Sequence, residues 1–280
     1  MRKRRFSLPT IIVIIIAAGI FLYSGCSLAM YLLDAYKNKD SVNTLAEIAV
    51  TEQKNDTIQG TSKYHAVQEQ EEDAPNTTPS VAEKTEEEIV LPITVDFELL
   101  QKENPEIIGW IYSEGTQINY PVLQAEDNDK YLHTLTDGRY ASGGSIFMDC
   151  DAKPDLSEFN TVIYGHNMKT GAMFGTIDLY KKQQYYDEHK RLFYYTPDNI
   201  YLAEPVAGIV TNTESTLYRK AVNKEAKEEF LSYITEYSTF KSDAVPDLRS
   251  RYIVLSTCSY EYDDARYLLI CRLTRLEQDK

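Results

Sequence analysis

A cysteine and an arginine near the C-terminus each adjoin a short apolar run. Cys258 ends the run at residues 252–258, and Arg266 begins the run at residues 266–270. Two β-prone runs joined by the polar residues 259–264 predict a β-hairpin. Such a hairpin would put a thiol and a guanidinium side by side on neighbouring strands.

A histidine at the end of a third β-prone run could complete a reactive site. His166 follows residues 160–164, and the chain holds only four histidines and four cysteines. A thiol with the ordinary pKa of about 8.5 is mostly protonated at neutral pH, so attack on a carbonyl needs a nearby base. We expect Cys258 to be a nucleophile, His166 its acid and base, and Arg266 the group that holds an oxyanion. Nothing in the sequence marks an acidic residue that would orient His166 as the third member of a catalytic triad.

Each of these residues alone also fits an ordinary structural role. His166 could be a loop histidine bonded to the backbone, and Arg266 could form a salt bridge. The three together, on elements that can converge, favour a catalytic site. Cys150 and Cys271 fit buried, inert cysteines, and Cys271 lies on the opposite strand face from Arg266.

The sequence predicts no metal site and no cofactor. It contains no Cys-x-x-Cys and no His-x-x-x-His spacing, which argues against zinc. The acidic residues 126–129 lack the glycine spacing of a calcium-binding EF-hand loop.

The N-terminus has the pattern of a membrane anchor. Residues 1–7 carry four basic residues and no acid, and residues 8–33 are uncharged and mostly apolar, long enough to cross about 30 Å of hydrocarbon. The positive-inside rule predicts a cytoplasmic tail at 1–7 and an extracellular remainder. A cleaved signal peptide is the main alternative. A lipidated Cys26 is a second one, although Tyr23 fits a lipoprotein box poorly.

The remainder of the chain is acidic. The whole chain has a net charge of −14, and without the four basic residues of the tail it carries 25 basic and 43 acidic residues, a charge of −18. This charge argues against nucleic-acid binding, because phosphates require the opposite field. Residues 34–90 are so polar that we expect an extracellular linker, and a helical stalk over 37–51 is an alternative for part of it.

Residues 91–280 have a globular composition and predict many short strands with a few helices. This mixture indicates a mainly β fold, a mixed barrel or sandwich with peripheral helices. Besides the two hairpin strands, the predicted strands are 107–112, 118–123, 145–149, 160–164, 192–196 and 200–210. The predicted helices are 96–103, 174–181 and 224–237, the last capped by Asn223.

Six short motifs in this region resemble those of class B sortases in their order and spacing. They are NPEIIGWI at 104–111, YPVLQ at 120–124, DNDKYL at 127–132, GSIFMD at 144–149, NTVIYGHNM at 160–168 and LSTC at 255–258. Val254 stands where the family usually has Thr. Val and Thr have similar shapes, so this difference does not argue against activity.

The resemblance implies an eight-stranded sortase β-barrel with an N-terminal helix and a helix between strands six and seven. It also implies a membrane-anchored transpeptidase of Gram-positive bacteria. Such an enzyme cleaves a C-terminal sorting signal of the LPxTG or NPxTN type after Thr. The acyl group then passes through a cysteine thioester to an amine of the cell-wall precursor.

The family's functional positions map onto Cys258, His166 and Arg266 as the catalytic residues. The positions that line the sorting-signal groove map onto Asn128, Leu132, Ser256, Thr213, Leu217 and Tyr218. A sortase that polymerises pilins, another class of cysteine peptidase and a non-enzymatic scaffold are the alternatives. Cysteine peptidases usually have Cys before His along the chain, whereas here His166 precedes Cys258.

Overall fold

The structure is a computed structural model that describes residues 8–52, 63–67 and 88–278. Its α-helices are α1 (Leu8–Ala49), α2 (Phe97–Glu103), α3 (Gln183–Glu188) and α4 (Lys224–Tyr237). Short 3-10 helices span Lys130–Leu132, Ile177–Lys181 and Thr216–Tyr218. The strands are β1 (Val50–Glu52), β2 (Lys63–Val67), β3 (Ile89–Val90), β4 (Ile93–Val95), β5 (Ile107–Tyr112), β6 (Asn119–Leu123), β7 (Ile146–Met148), β8 (Asn160–Tyr164), β9 (Leu192–Tyr195), β10 (Ile200–Asn212), β11 (Arg251–Cys258) and β12 (Ala265–Gln278).

Eight of these strands close into a barrel. They follow the order β10, β9, β5, β6, β7, β8, β11 and β12, and β12 pairs again with β10. The predicted eight-stranded barrel is therefore confirmed. Helix α4 connects the sixth barrel strand to the seventh, as predicted, and the side chain of Asn223 caps it by accepting a hydrogen bond from the Ala226 amide.

The strand that ends in Cys258 is buried on both faces. Ile253 and Leu255 of β11 point into the barrel interior. Tyr252 and Val254 point outward, where they pack in a second layer with side chains of α4. This alternation explains why the sequence of β11 reads as a continuous apolar run.

One predicted helix begins later than its sequence indicates. Residues 174–181 give only the 3-10 helix Ile177–Lys181, and α3 follows it. Met173 has a left-handed φ of 55°, and the amide of Phe174 bonds to the carbonyl of His166 instead of to a helical turn. The chain is therefore tied to the segment after β8 that carries His166 before the helix can start.

The predicted linker is corrected for the residues that the structure describes. Helix α1 continues beyond the apolar residues to Ala49, and Ser41, Leu45 and Ala49 are buried against the barrel. Strand β1 pairs with β4, while β2 and β3 extend the sheet beside β12. The spacing of small and apolar side chains on one face of α1 makes this packing possible, although the segment's average composition is polar. The tail at 1–7 and residues 53–62 and 68–87 lie outside the described residues.

The first part of α1 is long and apolar enough to cross a membrane, by length and composition alone. Its side chains are largely exposed, in contrast to those of a core helix.

The packing of α1 predicts a stability effect at Leu45, which is 6% exposed in a cluster that includes Leu91 and Leu100. In a protein beginning at residue 34, Leu45→Ala should lower the free energy of unfolding by about 2–5 kcal/mol, because it leaves a cavity. Leu248→Ala is the matched control, since Leu248 is 38% exposed. Denaturant unfolding measures both. Equal effects of the two changes would mean that α1 does not pack on the barrel in solution.

Candidate active site

Strand β11 determines which side chains meet at the candidate site. It pairs antiparallel with β12, and Cys258 lies directly opposite Arg266. On its other side it runs parallel to β8, with Ser256 beside Tyr164. Because parallel strands advance together, the register brings His166, two residues beyond Tyr164, to the level of Cys258. The hairpin prediction for Cys258 and Arg266 is confirmed.

His166 is oriented by a backbone group. Its Nε2 lies 2.8 Å from the carbonyl oxygen of Leu132. A carbonyl can only accept, so Nε2 carries the proton and Nδ1 is left as the basic nitrogen. Burial lowers the pKa of His166 below its usual value, and the nearby His133 contributes in the same direction. At neutral pH the imidazole is therefore uncharged.

The backbone around Cys258 is clamped to the segment that carries His166. The side-chain amide of Asn167 donates to the Cys258 carbonyl at 2.8 Å, and the hydroxyl of Thr257 donates to the Gly165 carbonyl at 2.7 Å. Cys258 itself is half-buried at the end of β11. The thiol therefore sits at a fixed strand end that opens to solvent.

Arg266 is held by its own hairpin loop. Its guanidinium donates to the Ala265 carbonyl at 3.0 Å and pairs with Asp264 at 3.2 Å. The hydroxyl of Thr213 donates to the other oxygen of Asp264 at 2.5 Å. That hydrogen bond, and then the charge of Arg266, lower the pKa of Asp264. An arginine with these two contacts still has donors free to bind an oxygen in the site.

A tyrosine pair forms one wall beside Cys258. Tyr218 shares a hydrogen bond of 2.8 Å with Ser256, and its ring stacks on Tyr164 with 6.3 Å between centroids. Tyr164 donates to the carboxylate of Asp149 at 2.9 Å, and Asn128 donates to the same oxygen at 3.1 Å. A chain of contacts thus joins these residues behind the site.

The residues predicted to line the sorting-signal groove differ in how they relate to Cys258, Arg266 and His166. Ser256 and Tyr218 contact each other beside Cys258, and Thr213 reaches Arg266 through Asp264. The amide of Asn128 is bonded at both ends, to Asp149 and to the Cys150 backbone. Leu132 contributes its carbonyl to His166.

Leu217 differs from the expectation that it lines the groove. It is 1% exposed and packs in the cluster beneath α4. The reason is the 3-10 turn of Thr216–Tyr218, which directs consecutive side chains in different directions, so Tyr218 faces the site and Leu217 the core.

Among the described residues, one group has the spacing of metal ligands. Asp149, Cys150 and Asp151 place one ligand atom each within 4.8 Å of one another. Asp149, however, already accepts hydrogen bonds from Asn128 and Tyr164. The group lies behind the tyrosine wall and not between Cys258 and His166.

Sequence reasoning missed several residues that support the site. Asn167 was signalled only by its place directly after His166, and Asp264 by its place two residues before Arg266. Tyr164 and Asp149 lie inside the quoted family motifs, where nothing in their residue types marks them as partners.

A model of the sortase domain matches residues 111–274. The chain belongs to the sortase family. Sortase B of Listeria monocytogenes is 30% identical over 250 residues, which cover 89% of this chain and 89% of that protein. The structure of sortase B from Bacillus anthracis superimposes with a TM-score of 0.65 at 26% identity, over 87% of this chain and 99% of that one. A Staphylococcus aureus sortase B–substrate complex gives a TM-score of 0.60 at 30% identity, over 63% and 83% of the two chains.

These similarities identify a class B sortase, whose family activity is cysteine transpeptidation. The eight-stranded barrel and the helix between strands six and seven agree with this assignment. Cysteine transpeptidation needs a reactive thiol, and one of the cysteines of this sortase must supply it.

The surroundings of the cysteines predict their order of reaction with iodoacetamide. Burial raises the pKa of Cys271 far above its usual value, and desolvation with the charges of Asp149 and Asp151 raises that of Cys150. In a sortase beginning at residue 34, Cys258 should therefore be alkylated first. Mass spectrometry of peptides after timed labelling measures the order.

Cys258→Ala is the control for this experiment, because it should remove the fast-labelled peptide without altering the others. Cys271 should react only after denaturant is added. Faster labelling of Cys150 or Cys271 in the folded protein would contradict the assignment of Cys258 as the accessible thiol.

Proposed function

We propose that this sortase is anchored in the cell membrane by α1, with its N-terminus cytoplasmic and its barrel extracellular. There it cleaves a C-terminal sorting signal of the LPxTG or NPxTN type after Thr. It then transfers the new acyl end to an amine of the cell-wall precursor. The observation that carries this proposal is the cross-strand pair of Cys258 and Arg266 with His166 at the adjoining strand end.

In the acylation step, the Sγ of Cys258 attacks the Thr carbonyl carbon and its proton moves to His166. The hydrogen bond of Nε2 to the Leu132 carbonyl supports Nδ1 as the atom that takes this proton. The carbonyl oxygen becomes an oxyanion, and Arg266 stabilises it. The bond to the next residue then breaks, and Nδ1–H protonates the departing amine, which leaves a thioester.

In the second step, the acceptor amine attacks the thioester carbonyl. Nδ1 of His166 takes a proton from the amine, the C–S bond breaks, and a new amide forms while the Cys258 thiolate is released. The imidazolium returns its proton to the thiolate. Water in place of the amine would give slow hydrolysis, the peptidase-like side reaction.

The sorting signal would lie along the wall made by Tyr164 and Tyr218. These rings and the half-buried Cys258 line the same side of the barrel, since Tyr218 is bonded to Ser256 two residues before the nucleophile. The S. aureus relative was solved as a substrate complex, which supports a peptide in the corresponding place.

Cleavage of a peptide library by the purified protein, read by mass spectrometry, tests the proposed reaction. Cleavage should follow Thr, and Cys258→Ala should abolish both cleavage and the covalent acyl-enzyme. An added amine should be incorporated into the product. Cleavage that persists in Cys258→Ala would reject the mechanism.

The buried imidazole predicts the position of the acid limb in the pH profile. Neutral His166 is needed to accept the thiol proton, and its pKa lies below the ordinary value of about 6.5. The kcat/KM for a sorting-signal peptide should therefore fall only below pH 6.5. Steady-state kinetics between pH 4.5 and pH 8 measure this limb.

Folding must be followed over the same pH range. The unfolded state, with the higher histidine pKa, binds more protons, so stability also decreases as the pH falls below 6.5. Melting curves at each pH separate this loss from the kinetic effect. An acid limb centred above pH 6.5 in folded protein would assign it to a group other than His166.

The role of Arg266 predicts a large loss of activity without a loss of stability. Arg266→Ala should lower kcat/KM by roughly 10²–10³, as the removal of an oxyanion donor does. Arg266→Lys should recover only part of it, because an ammonium lacks the planar array of donors. Kinetics and a melting curve for each variant provide the measurement.

Arg249→Ala is the matched control, since Arg249 is exposed and lies outside the site. Its effect on kcat/KM should be negligible. If Arg266→Ala behaves in the same way, Arg266 serves only its ion pair with Asp264, which would be worth about 0–1 kcal/mol.

A further inference from the structure

Helix α1 meets the barrel at the point where its apolar part ends. Asp34 is the first charged residue after the uncharged residues 8–33, and its carboxylate accepts a hydrogen bond from the Ser142 amide at 3.4 Å. Further along α1, Asp40 pairs with Arg139 at 3.6 Å, and Ser41 bonds to Thr136 at 2.7 Å. The loop of residues 136–142 therefore lies against α1 from the end of the apolar run onward.

The length of the helix and the thickness of the bilayer determine how far this loop lies from the hydrocarbon core. Residues 8–33 form roughly 40 Å of helix at 1.5 Å per residue, against about 30 Å of hydrocarbon. Centred on the hydrocarbon, the run extends by about 5 Å at each side, and the headgroup layer there is about 5–8 Å thick. Asp34, and with it the Ser142 end of the 136–142 loop, would stand at the level of the lipid headgroups, while the Thr136 end, bonded to Ser41, would stand about 10 Å further from the hydrocarbon.

The loop is a defined turn and has a fixed shape. Thr134 and Tyr140 form an antiparallel bridge, and the Leu135 amide bonds to the Arg139 carbonyl at 2.9 Å. Gly138 has a left-handed φ of 82°, which permits the tight reversal. The shape of the loop is therefore determined by its own backbone bonds, and side chains of α1 hold it in place.

The exposed side of the loop has the chemistry of a membrane interface. Tyr140 is 67% exposed at the base of the turn, and Tyr36 on α1 is 68% exposed. A tyrosine ring with its hydroxyl suits the boundary between acyl chains and water. Three acidic and three basic residues there balance in charge, so anionic headgroups are not repelled as they would be by the acidic domain as a whole. These charged residues are Asp34, Lys37, Lys39, Asp40, Asp137 and Arg139.

The same segment reaches the catalytic histidine. The ring of His133 lies 5.9 Å from that of Tyr140 and stacks at 5.7 Å on that of His166. The preceding residue, Leu132, supplies the carbonyl that holds Nε2 of His166. Two ring contacts thus connect the exposed Tyr140 to His166.

We propose that the 136–142 loop is a membrane-contacting surface, with Tyr140 seated among the lipid headgroups of the bilayer that α1 spans. This inference rests on the proposed anchoring of α1. The barrel is then held at one height with the His166 side next to the lipid, where an acceptor amine carried on a lipid-linked precursor arrives.

Fluorescence quenching in membranes tests this surface. The full-length protein is placed in phosphatidylcholine–phosphatidylglycerol vesicles that contain a lipid with a nitroxide on its headgroup. The one native tryptophan, Trp110, is fully buried and gives a constant background. Tyr140→Trp should be quenched at least about twofold more than the control Tyr237→Trp, because interfacial rings lie among headgroups. Tyr237 is 54% exposed on α4.

A third variant separates the surface from the anchor. Tyr23→Trp lies within the apolar run and should be quenched by a nitroxide on the acyl chains. If it is quenched while Tyr140→Trp matches Tyr237→Trp, the anchor holds and the membrane-contacting surface is refuted. If neither Tyr23→Trp nor Tyr140→Trp is quenched, the anchoring is refuted, and the surface with it. Peptide cleavage by each variant confirms that the barrel is folded.

Discussion

The site depends on the two-sided pairing of β11. Hydrogen bonds to β8 and to β12 bring His166 to one side of Cys258 and Arg266 to the other. Because the barrel is closed, β11 has no free edge along which its register could shift. A slip of one residue would turn the thiol to the opposite face of the sheet. The chemistry is therefore positioned by main-chain bonds that form regardless of the side chains at the site.

Much of this arrangement was predictable from local sequence. The hairpin of β11 and β12 follows from two apolar runs with a polar loop between them, and it places Arg266 beside Cys258. The strand Asn160–Tyr164 and helix α4 were predicted with their observed bounds. The apolar residues of these elements recur with a clear period, and turn or cap residues mark their ends. Both features determine structure within a few residues of the chain.

The unpredicted features depend on contacts between distant segments. The parallel pairing of β8 with β11 joins strands far apart in the chain, and no local pattern specifies a parallel partner. The orientation of His166 comes from the carbonyl of Leu132, a group that every residue has. The packing of α1 was missed for another reason: a few side chains on one face, such as Leu45, bind the helix to the barrel while the average composition remains polar. Composition alone predicts solvation, whereas the spacing of apolar residues determines packing.

The separation of two cysteines on this hairpin has a redox consequence. Cys258 pairs across the strands with Arg266, whereas Cys271 pairs with Ile253, five residues earlier on β11. At about 3.3 Å per residue, the two cysteines are roughly 17 Å apart along the sheet, far beyond the reach of a disulfide. In an oxidising compartment, neighbouring thiols are readily joined in a disulfide. Within its own hairpin Cys258 has no thiol in reach, so a sulfenic acid formed on it could be resolved only by a thiol from elsewhere.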